Sequence, residues 1–283
     1  MNQRLSPPKG KRRDDCVIRH PCEGVTSACT RSSTLRWNIW KAERKAERPA
    51  YAPDPARGWI VHPVYVSDTL LTQVLDDMDR DPDAPGFSDV GTRNLLYCYC
   101  VSMKPRRVLE IGSHIGFSSL VIASALRLNK FGRLLTVEPN EIYRGSARKY
   151  LKKASLDDLV DTVPHFSQDA ACQKRLREEA PFEIIFLDAV HDYESAVQDI
   201  QLCCELVSEN GIIMLHDTGI SSPELDQSGR GGVRAALNQF ALSNPGFKTI
   251  YFEYPLWLNP CGTAILCPQR LDPPPLVART SRR

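Results

Sequence analysis

Residues 106–119 read RRVLEIGSHIGFSS, and this stretch decides the fold. A strand-like run leads into Gly112, and Gly116 precedes a helical pattern. Glycines in such a turn let a ligand approach backbone amides at the N-terminus of a helix. A dinucleotide fingerprint would place glycines at two further positions, which here hold His114 and Phe117. The stretch therefore disfavours an NAD enzyme and favours a ligand without a pyrophosphate. The alternative is that the two glycines only form a tight turn and bind no ligand.

Short apolar runs alternate with helical patterns on both sides of this loop. Runs rich in β-branched residues are typical of strands buried on both faces, and their alternation with helices predicts a parallel sheet with helices on both faces. Two later runs, 247–254 and 262–268, are joined too briefly for a parallel crossover, so they predict an antiparallel pair. The other predicted strands are 108–111, 134–137, 159–163, 183–187 and 212–216, and the predicted helices are 92–103, 117–128, 141–154, 170–179, 193–207 and 233–242.

Charge is distributed unevenly along the chain. Residues 1–57 contain 13 Lys and Arg against 6 Asp and Glu, a net charge of +7, whereas residues 58–283 carry −5. We expect residues 1–57 to be a basic, flexible extension, residues 58–270 to be the main domain with an N-terminal helical cap, and residues 271–283 to be a C-terminal tail. The extension lacks a nucleic-acid motif, so nucleic acid is not an expected partner.

No segment of the sequence predicts a membrane or an export route. No apolar run reaches the roughly 18 to 20 residues that span a bilayer, and no apolar region follows the basic N-terminus as in a secretory signal. A cytoplasmic protein is therefore expected. Its ten cysteines are expected to be thiols rather than a disulfide framework.

Acidic residues lie at the ends of the first two predicted strands, Glu110 in the first and Glu138 after the second. Glu138 follows Glu110 by twenty-eight residues, in the segment LLTVEPN. A carboxylate at the end of a second strand is well placed to accept both hydroxyls of a ribose. Alone, Glu138 could instead cap the helix that follows it. Its combination with Glu110 and the glycine loop is more specific, and it indicates a ligand that carries a ribose.

With these residues the chain resembles the class I, S-adenosylmethionine-dependent methyltransferases, and it looks closest to the small-molecule O-methyltransferases of the catechol-like, cation-dependent type. The resemblance covers roughly residues 87–268. It implies a Rossmann-like, doubly wound α/β fold with a seven-stranded sheet in the order 3-2-1-4-5-7-6 and strand 7 antiparallel. It also implies S-adenosyl-L-methionine as cofactor. The implied cofactor-binding residues are Glu110, Gly112, Ser113, Gly116, Ser118, Glu138, Ser167, Gln168 and Asp188.

Titratable side chains follow the fourth and fifth strands. The fourth ends FLDAVHDY, with Asp188 and His191, and the fifth ends MLHDT, with His216 and Asp217. Ligands of open α/β sheets bind outside the C-terminal ends of the strands, so these two ends should meet. Methyl transfer to a hydroxyl needs a group that takes a proton, and imidazole titrates near neutral pH. His191 is therefore the predicted catalytic base.

The same two strand ends can hold a divalent cation. Asp188, His216 and Asp217 are the predicted ligands: carboxylates suit Mg²⁺, and imidazole favours a transition metal. The resemblance supports the cation and the base at these positions. The departure is His216, where relatives generally present an acid.

These observations predict a methyltransferase that acts on a hydroxyl group of a small-molecule acceptor. Two alternatives stay open: an N- or nucleic-acid methyltransferase that binds through the basic extension, and a catalytically silent, Rossmann-like binding protein. A membrane is not an expected partner, and a homodimer is compatible with the pattern. Acceptor specificity is expected to lie in residues 58–95 and in the loop from Gly219 to Gly232.

Overall fold

The structure is a computed structural model that describes residues 69–81, 88–253 and 261–269. The predictions about the basic extension, both domain boundaries and the C-terminal tail concern residues outside these ranges. Among the described residues, no helix is long and apolar enough to cross a membrane. The described cysteines are free thiols.

One sheet of seven strands forms the centre of the described region. The strands are β1 (Arg107–Ile111), β2 (Arg133–Val137), β3 (Val160–Val163), β4 (Phe182–Leu187), β5 (Val207–His216), β6 (Phe247–Phe252) and β7 (Thr263–Pro268). Their order is β3-β2-β1-β4-β5-β7-β6. Strands β1 to β5 run parallel, and β7 is antiparallel to both of its neighbours. The predicted fold class, strand order and antiparallel strand 7 are confirmed.

Helices cover both faces of the sheet. They are α1 (Thr69–Arg80), α2 (Val90–Met103), α3 (Phe117–Asn129), α4 (Glu141–Lys153), α5 (Ala170–Glu179), α6 (Tyr193–Leu206), α7 (Ser222–Leu225) and α8 (Gly232–Ser243), with a 3₁₀ turn at Asp157–Leu159. Helices α1 to α4 pack on one face, and α5, α6 and α8 pack on the other.

Strand β1 illustrates why the inner strands are apolar throughout. Successive side chains of a strand point to opposite faces of the sheet. Val108 accordingly packs with the first group of helices, whereas Leu109 and Ile111 pack with the second. Because parallel strands connected by helices all end at the same edge, the residues that follow β1, β2, β4 and β5 are brought to one side of the sheet.

Most boundaries differ from the predictions by one or two residues, and three differences stand out. Strand β3 is exposed at Asp161 and Thr162, because it lies at the edge of the sheet and has only one neighbouring strand. Helix α2 begins at Val90 rather than at residue 92, because Asp89 caps it and accepts a hydrogen bond from the Thr92 amide at 3.1 Å. Strand β5 begins at Val207, before a register shift against β4.

Candidate active site

The loop after β1 passes close to the end of β4. Gly112 has a φ of +92°, and a Cβ atom there would lie 2.1 Å from the backbone oxygen of Asp188. Gly116 has a φ of +96° and precedes the first turn of α3. Only glycine fits the close approach at position 112 without moving the backbone. Gly112 therefore allows the close approach of the ends of β1 and β4.

Glu110 is a buried carboxyl group beneath this loop. Its side chain is 0% exposed. Its Oε2 accepts hydrogen bonds from the hydroxyls of Ser119 and Thr136, the latter at 2.7 Å. Its Oε1 has no hydrogen-bond partner among the described residues. Burial raises the pKa of Glu110 to about 7, against the hydrogen bonds, which lower it.

Two serines flank Glu110. Ser118 lies in the first turn of α3, and the influence of its hydroxyl lowers the pKa of the Glu110 carboxyl group. Ser113 is buried, and within the described part of the chain its hydroxyl has no partner. A buried hydroxyl and a buried carboxyl oxygen without partners are unfavourable unless a ligand or water completes their hydrogen bonds. These two atoms are therefore candidate contacts of a polar ligand.

Glu138 ends β2 as a buried carboxylate beside the same loop. Its Oε2 accepts a hydrogen bond from the His114 amide at 2.8 Å, and its Oε1 accepts one from the Asn140 amide at 2.9 Å. Burial raises its pKa, and these two amides and the charge of Arg144 oppose the rise. Helix α4 is capped by Asn140, so capping is not the role of Glu138. Each oxygen keeps one lone pair for a ligand hydroxyl.

Ser167 and Gln168 follow β3, and their side chains donate hydrogen bonds to a residue of helix α6. The Ser167 hydroxyl donates to Asp199 Oδ1 at 2.6 Å, and Gln168 Nε2 donates to the same oxygen at 2.9 Å. Asp199 lies on α6 and is 1% exposed. Burial raises the pKa of Asp199 to about 6, against the hydrogen bond from Ser167. The loop after β3 is thus anchored by a buried carboxyl group.

His191 meets two carboxylates at the ends of β4 and β5. Its Nε2 lies 2.8 Å from Asp217 Oδ2 and 3.7 Å from Asp188 Oδ1, and its side chain is 38% exposed. Burial favours the neutral imidazole, but the nearby Asp188 carboxylate and the hydrogen bond to Asp217 outweigh it and raise the pKa of His191 to about 10. Burial raises the pKa of Asp217, but the charge of His216 and the two histidine hydrogen bonds hold it well below its usual range. The structure thus brings together the residues that the sequence expected to meet.

His216 lies behind this pair and contacts three carboxylates. Its Nε2 is 3.1 Å from Asp89 Oδ2, and its Nδ1 is 3.2 Å from Asp217 Oδ2 and 3.4 Å from Asp188 Oδ1. Burial opposes the charge, but Asp217 and Asp188 raise the pKa of His216 well above its ordinary value. His216 therefore orients the carboxylates from behind while His191 faces the solvent side.

Asp188, His191 and Asp217 can together offer ligands to a cation. One ligand atom from each lies within 4.8 Å of the others. Two of these residues were predicted as cation ligands and the third as the base. Two carboxylates with one imidazole fit Mg²⁺, Mn²⁺ or a softer divalent ion. His216, the third predicted ligand, is not in this set, since both of its nitrogens face carboxylates.

The sequence interpretation missed three buried acids. Asp89 precedes α2, Asp199 lies on the buried face of α6, and Asp226 lies in the loop between Gly219 and Gly232. A signal existed for Asp199, because its spacing from Ala196 and Cys203 places it on an apolar helix face. A signal for Asp89 was the capping position before an apolar helix. Asp226 follows no periodic pattern, so the sequence carried no signal for it.

Asp226 organises the loop that follows β5. It is buried, and its carboxylate accepts hydrogen bonds from the amides of Tyr193, Ser228, Arg230, Gly231 and Gly232 and from the Ser228 hydroxyl. Burial raises its pKa, but these donors outweigh it and lower the pKa of Asp226 to about 2. The loop beside His191 is therefore held by one charged acceptor.

We expect Asp226→Ala to lower the free energy of unfolding by about 2–4 kcal/mol at pH 7, because several buried amides lose their acceptor. The folded-state pKa of Asp226 is below its ordinary value, so its contribution is complete above about pH 4 and is lost as the pH falls towards 2. Denaturant unfolding at pH 7 and at pH 3 measures both effects. Glu224→Ala, at an exposed acid of the same loop, is the matched control. Equal stability of both variants at pH 7 would contradict the assignment.

The part of the chain that contains this sheet edge is similar in sequence to known proteins. Residues 109–218 match a family model described as a methyltransferase domain. The chain is 31% identical over 154 residues to catechol O-methyltransferase B of Danio rerio, which covers 53% of each protein. It is 31% identical over 114 residues to catechol O-methyltransferase of Mycobacterium tuberculosis, covering 40% of this chain and 49% of the relative. The chain thus spans about half the length of the curated relatives it matches.

Solved structures share the fold over most of the chain. The O-methyltransferase TomG of Streptomyces achromogenes, solved with SAM, superposes with a TM-score of 0.57 at 23% identity and covers 73% of this chain and 95% of its own. An O-methyltransferase of Bacillus cereus, solved with SAH, superposes with a TM-score of 0.55 at 20% identity and covers 72% and 96%. At these identities the superpositions establish the shared fold.

Proposed function

We propose that this chain, whose residues 109–218 match a methyltransferase domain, transfers a methyl group from S-adenosyl-L-methionine to a hydroxyl group of a small molecule. One observation carries the proposal. The edge of the sheet that presents the buried acids Glu110 and Glu138 also presents His191 paired with Asp217 at 2.8 Å. This arrangement supports a cofactor subsite and a proton acceptor at the same edge of the sheet.

The residues around the β1 loop fit this cofactor. Its methionine part carries an ammonium group and a sulfonium charge, and Glu110 offers a buried carboxyl oxygen that has no hydrogen-bond partner among the described residues. The Ser113 hydroxyl is a second buried group that a ligand would satisfy. Glu138 keeps acceptor capacity for the hydroxyls of a ribose. When bound, S-adenosyl-L-methionine supplies an electrophilic methyl group; the chain binds and orients it.

His191 handles the proton in this proposal. The acceptor hydroxyl must lose its proton as its oxygen attacks, and an imidazole beside the reacting oxygen can take it. Asp217 orients the ring and stabilises its charged form, as a carboxylate does for a catalytic histidine. The two nearby carboxylates raise the pKa of His191 to about 10, so a compensating charge at the site would favour the neutral base. A divalent cation held by Asp188 and Asp217 would supply that charge and acidify the acceptor.

The acceptor class is supported by the names of the relatives. Two of them are catechol O-methyltransferases, so an aromatic hydroxyl is the first acceptor to test. The exposed apolar side chains of Val190 and Ile220 lie in the segments after β4 and β5, beside the His191–Asp217 pair in the sequence. They are suited to contact an apolar ring rather than a highly charged acceptor.

Glu138→Ala is expected to weaken binding of S-adenosylhomocysteine by about 1–3 kcal/mol, because charge-assisted hydrogen bonds to the ribose are lost. Titration calorimetry measures the change in Kd. The control is Glu141→Ala, an exposed acid in the first turn of α4. Thermal melting checks that the variant keeps its fold. Unchanged affinity in the Glu138 variant, or tighter binding of NAD by the wild-type protein, would contradict the proposed function.

A further inference from the structure

Asp199 is buried on α6, yet it binds Ser167 and Gln168, the two loop residues at which the resemblance to class I methyltransferases implies the adenine contacts. The hydroxyl of Ser167 and Nε2 of Gln168 share one acceptor, Asp199 Oδ1, at 2.6 and 2.9 Å. Neither loop residue reaches another described side chain in this way. Asp199 is thus the group that holds the polar ends of both side chains.

The chemistry of this contact fixes the orientation of the Gln168 amide. The oxygens of an ionised carboxylate can only accept hydrogen bonds, so the edge of the amide that faces Asp199 must be its nitrogen. The opposite edge, Oε1, makes no hydrogen bond to any described residue, and the side chain is only partly buried. Gln168 therefore keeps a carbonyl acceptor for a ligand.

On the basis of the proposed function, we propose that Asp199 is a positioning residue that sets purine selectivity: it holds the Gln168 amide so that its oxygen receives the exocyclic amino group of adenine. Hypoxanthine carries a carbonyl oxygen in place of that amino group. Two acceptors would then face each other, and the cost of leaving both unpaired disfavours the deaminated purine. A freely rotating amide could turn its nitrogen towards either base and would discriminate less.

The surroundings of Asp199 support this role. The titratable groups that face it are Asp192 at the start of α6, Cys172 of α5 and Cys203 of α6. None of these is a cation, so no salt bridge explains why an acid is buried there. Burial raises the pKa of Asp199 to about 6, so the group is mostly ionised at neutral pH and its Oδ1 can only accept hydrogen bonds.

The test compares S-adenosylhomocysteine with its deaminated analogue, S-inosylhomocysteine, by titration calorimetry. We expect the wild-type protein to bind the adenine compound at least tenfold more tightly, the ratio that about 1.4 kcal/mol gives. In Asp199→Ala this preference should fall to about threefold or less, because the Gln168 amide is released. Asp199→Asn retains an acceptor oxygen and should keep most of the preference.

Further variants keep the test decisive if Asp199→Ala does not fold. Gln168→Leu changes a partly exposed side chain and should remove the preference by itself, and adding Asp199→Asn to it should change the preference little further. Glu205→Ala, on the exposed face of α6, is the matched control. A full preference in Asp199→Ala or in Gln168→Leu would overturn the inference while leaving the proposed function intact. Failure of the wild-type protein to bind S-adenosylhomocysteine would overturn both.

Discussion

His191→Ala is expected to lower kcat by about 10²–10⁴-fold while the Kd of S-adenosylhomocysteine stays within about twofold of wild type. This is the range for loss of a general base, and His191 lies at the ends of β4 and β5, whereas Glu138, the proposed ribose-binding acid, ends β2. The loss should appear in kcat rather than in cofactor affinity, because the imidazole would act only as the proton leaves the acceptor. Turnover with a labelled methyl donor and a catechol acceptor measures kcat, and calorimetry measures Kd.

Two further measurements separate a base from a structural role. Adding free imidazole to the His191→Ala protein should restore part of the turnover, because the cavity left by the ring faces the solvent side. His191→Gln keeps hydrogen bonding to Asp217 but cannot take a proton, so it should be as slow as the alanine variant. Wild-type activity in either variant would remove His191 from the catalytic machinery and leave methyl transfer by other groups.

Asp217→Asn is the second large effect, with an expected loss in kcat of about 10²–10³-fold. Asp217 has a φ of +55°, a conformation that asparagine also tolerates, so the backbone should keep its shape. The substitution removes the charge that orients His191 and one carboxylate of the candidate cation set. Losses of this size follow when the partner of a catalytic histidine or a metal ligand is removed. Steady-state turnover, with thermal melting as the folding check, measures the effect.

Treatment with a chelator distinguishes the two proposed roles of Asp217 in turnover, which are to orient His191 and to bind a cation. If a divalent cation takes part, a chelator should slow the wild-type enzyme and slow Asp217→Asn little further, because both changes remove the same interaction. Adding back Mg²⁺, Mn²⁺, Fe²⁺ or Zn²⁺ singly to the stripped protein then identifies the ion. Chelator-insensitive turnover would remove the cation, and full turnover by Asp217→Asn would remove the His191–Asp217 pair as well.

The local pattern of the sequence accounts for most of the fold. Residues 106–119 predicted a strand, a glycine turn and a helix, and the structure has β1, Gly112 and α3 there. The resemblance to class I methyltransferases is confirmed by the domain match at residues 109–218. Strands, helices and glycine turns depend on hydrophobic periodicity and on backbone freedom at glycine. Both can be recognised from residues that are close together in the sequence. The sequence also placed Glu110, Glu138, His191 and Asp217 at strand ends, because strand ends follow from the same pattern.

Only the tertiary structure decided which side chains contact one another. Asp89 lies 127 residues from His216 in the sequence, and Asp199 lies 32 residues from Ser167, yet each pair is within hydrogen-bond distance. Asp89 occupies an ordinary N-cap position and Asp199 lies on an apolar helix face. Periodicity indicates which face of a helix is buried, but not which polar group of another element lies opposite it. The sequence alone determined the sheet, the loop and the edge at which the site forms. The pairing of His191 with Asp217, and the second layer of carboxylates behind them, depend on distances between separate elements, which only the packing of the helices against the sheet fixes.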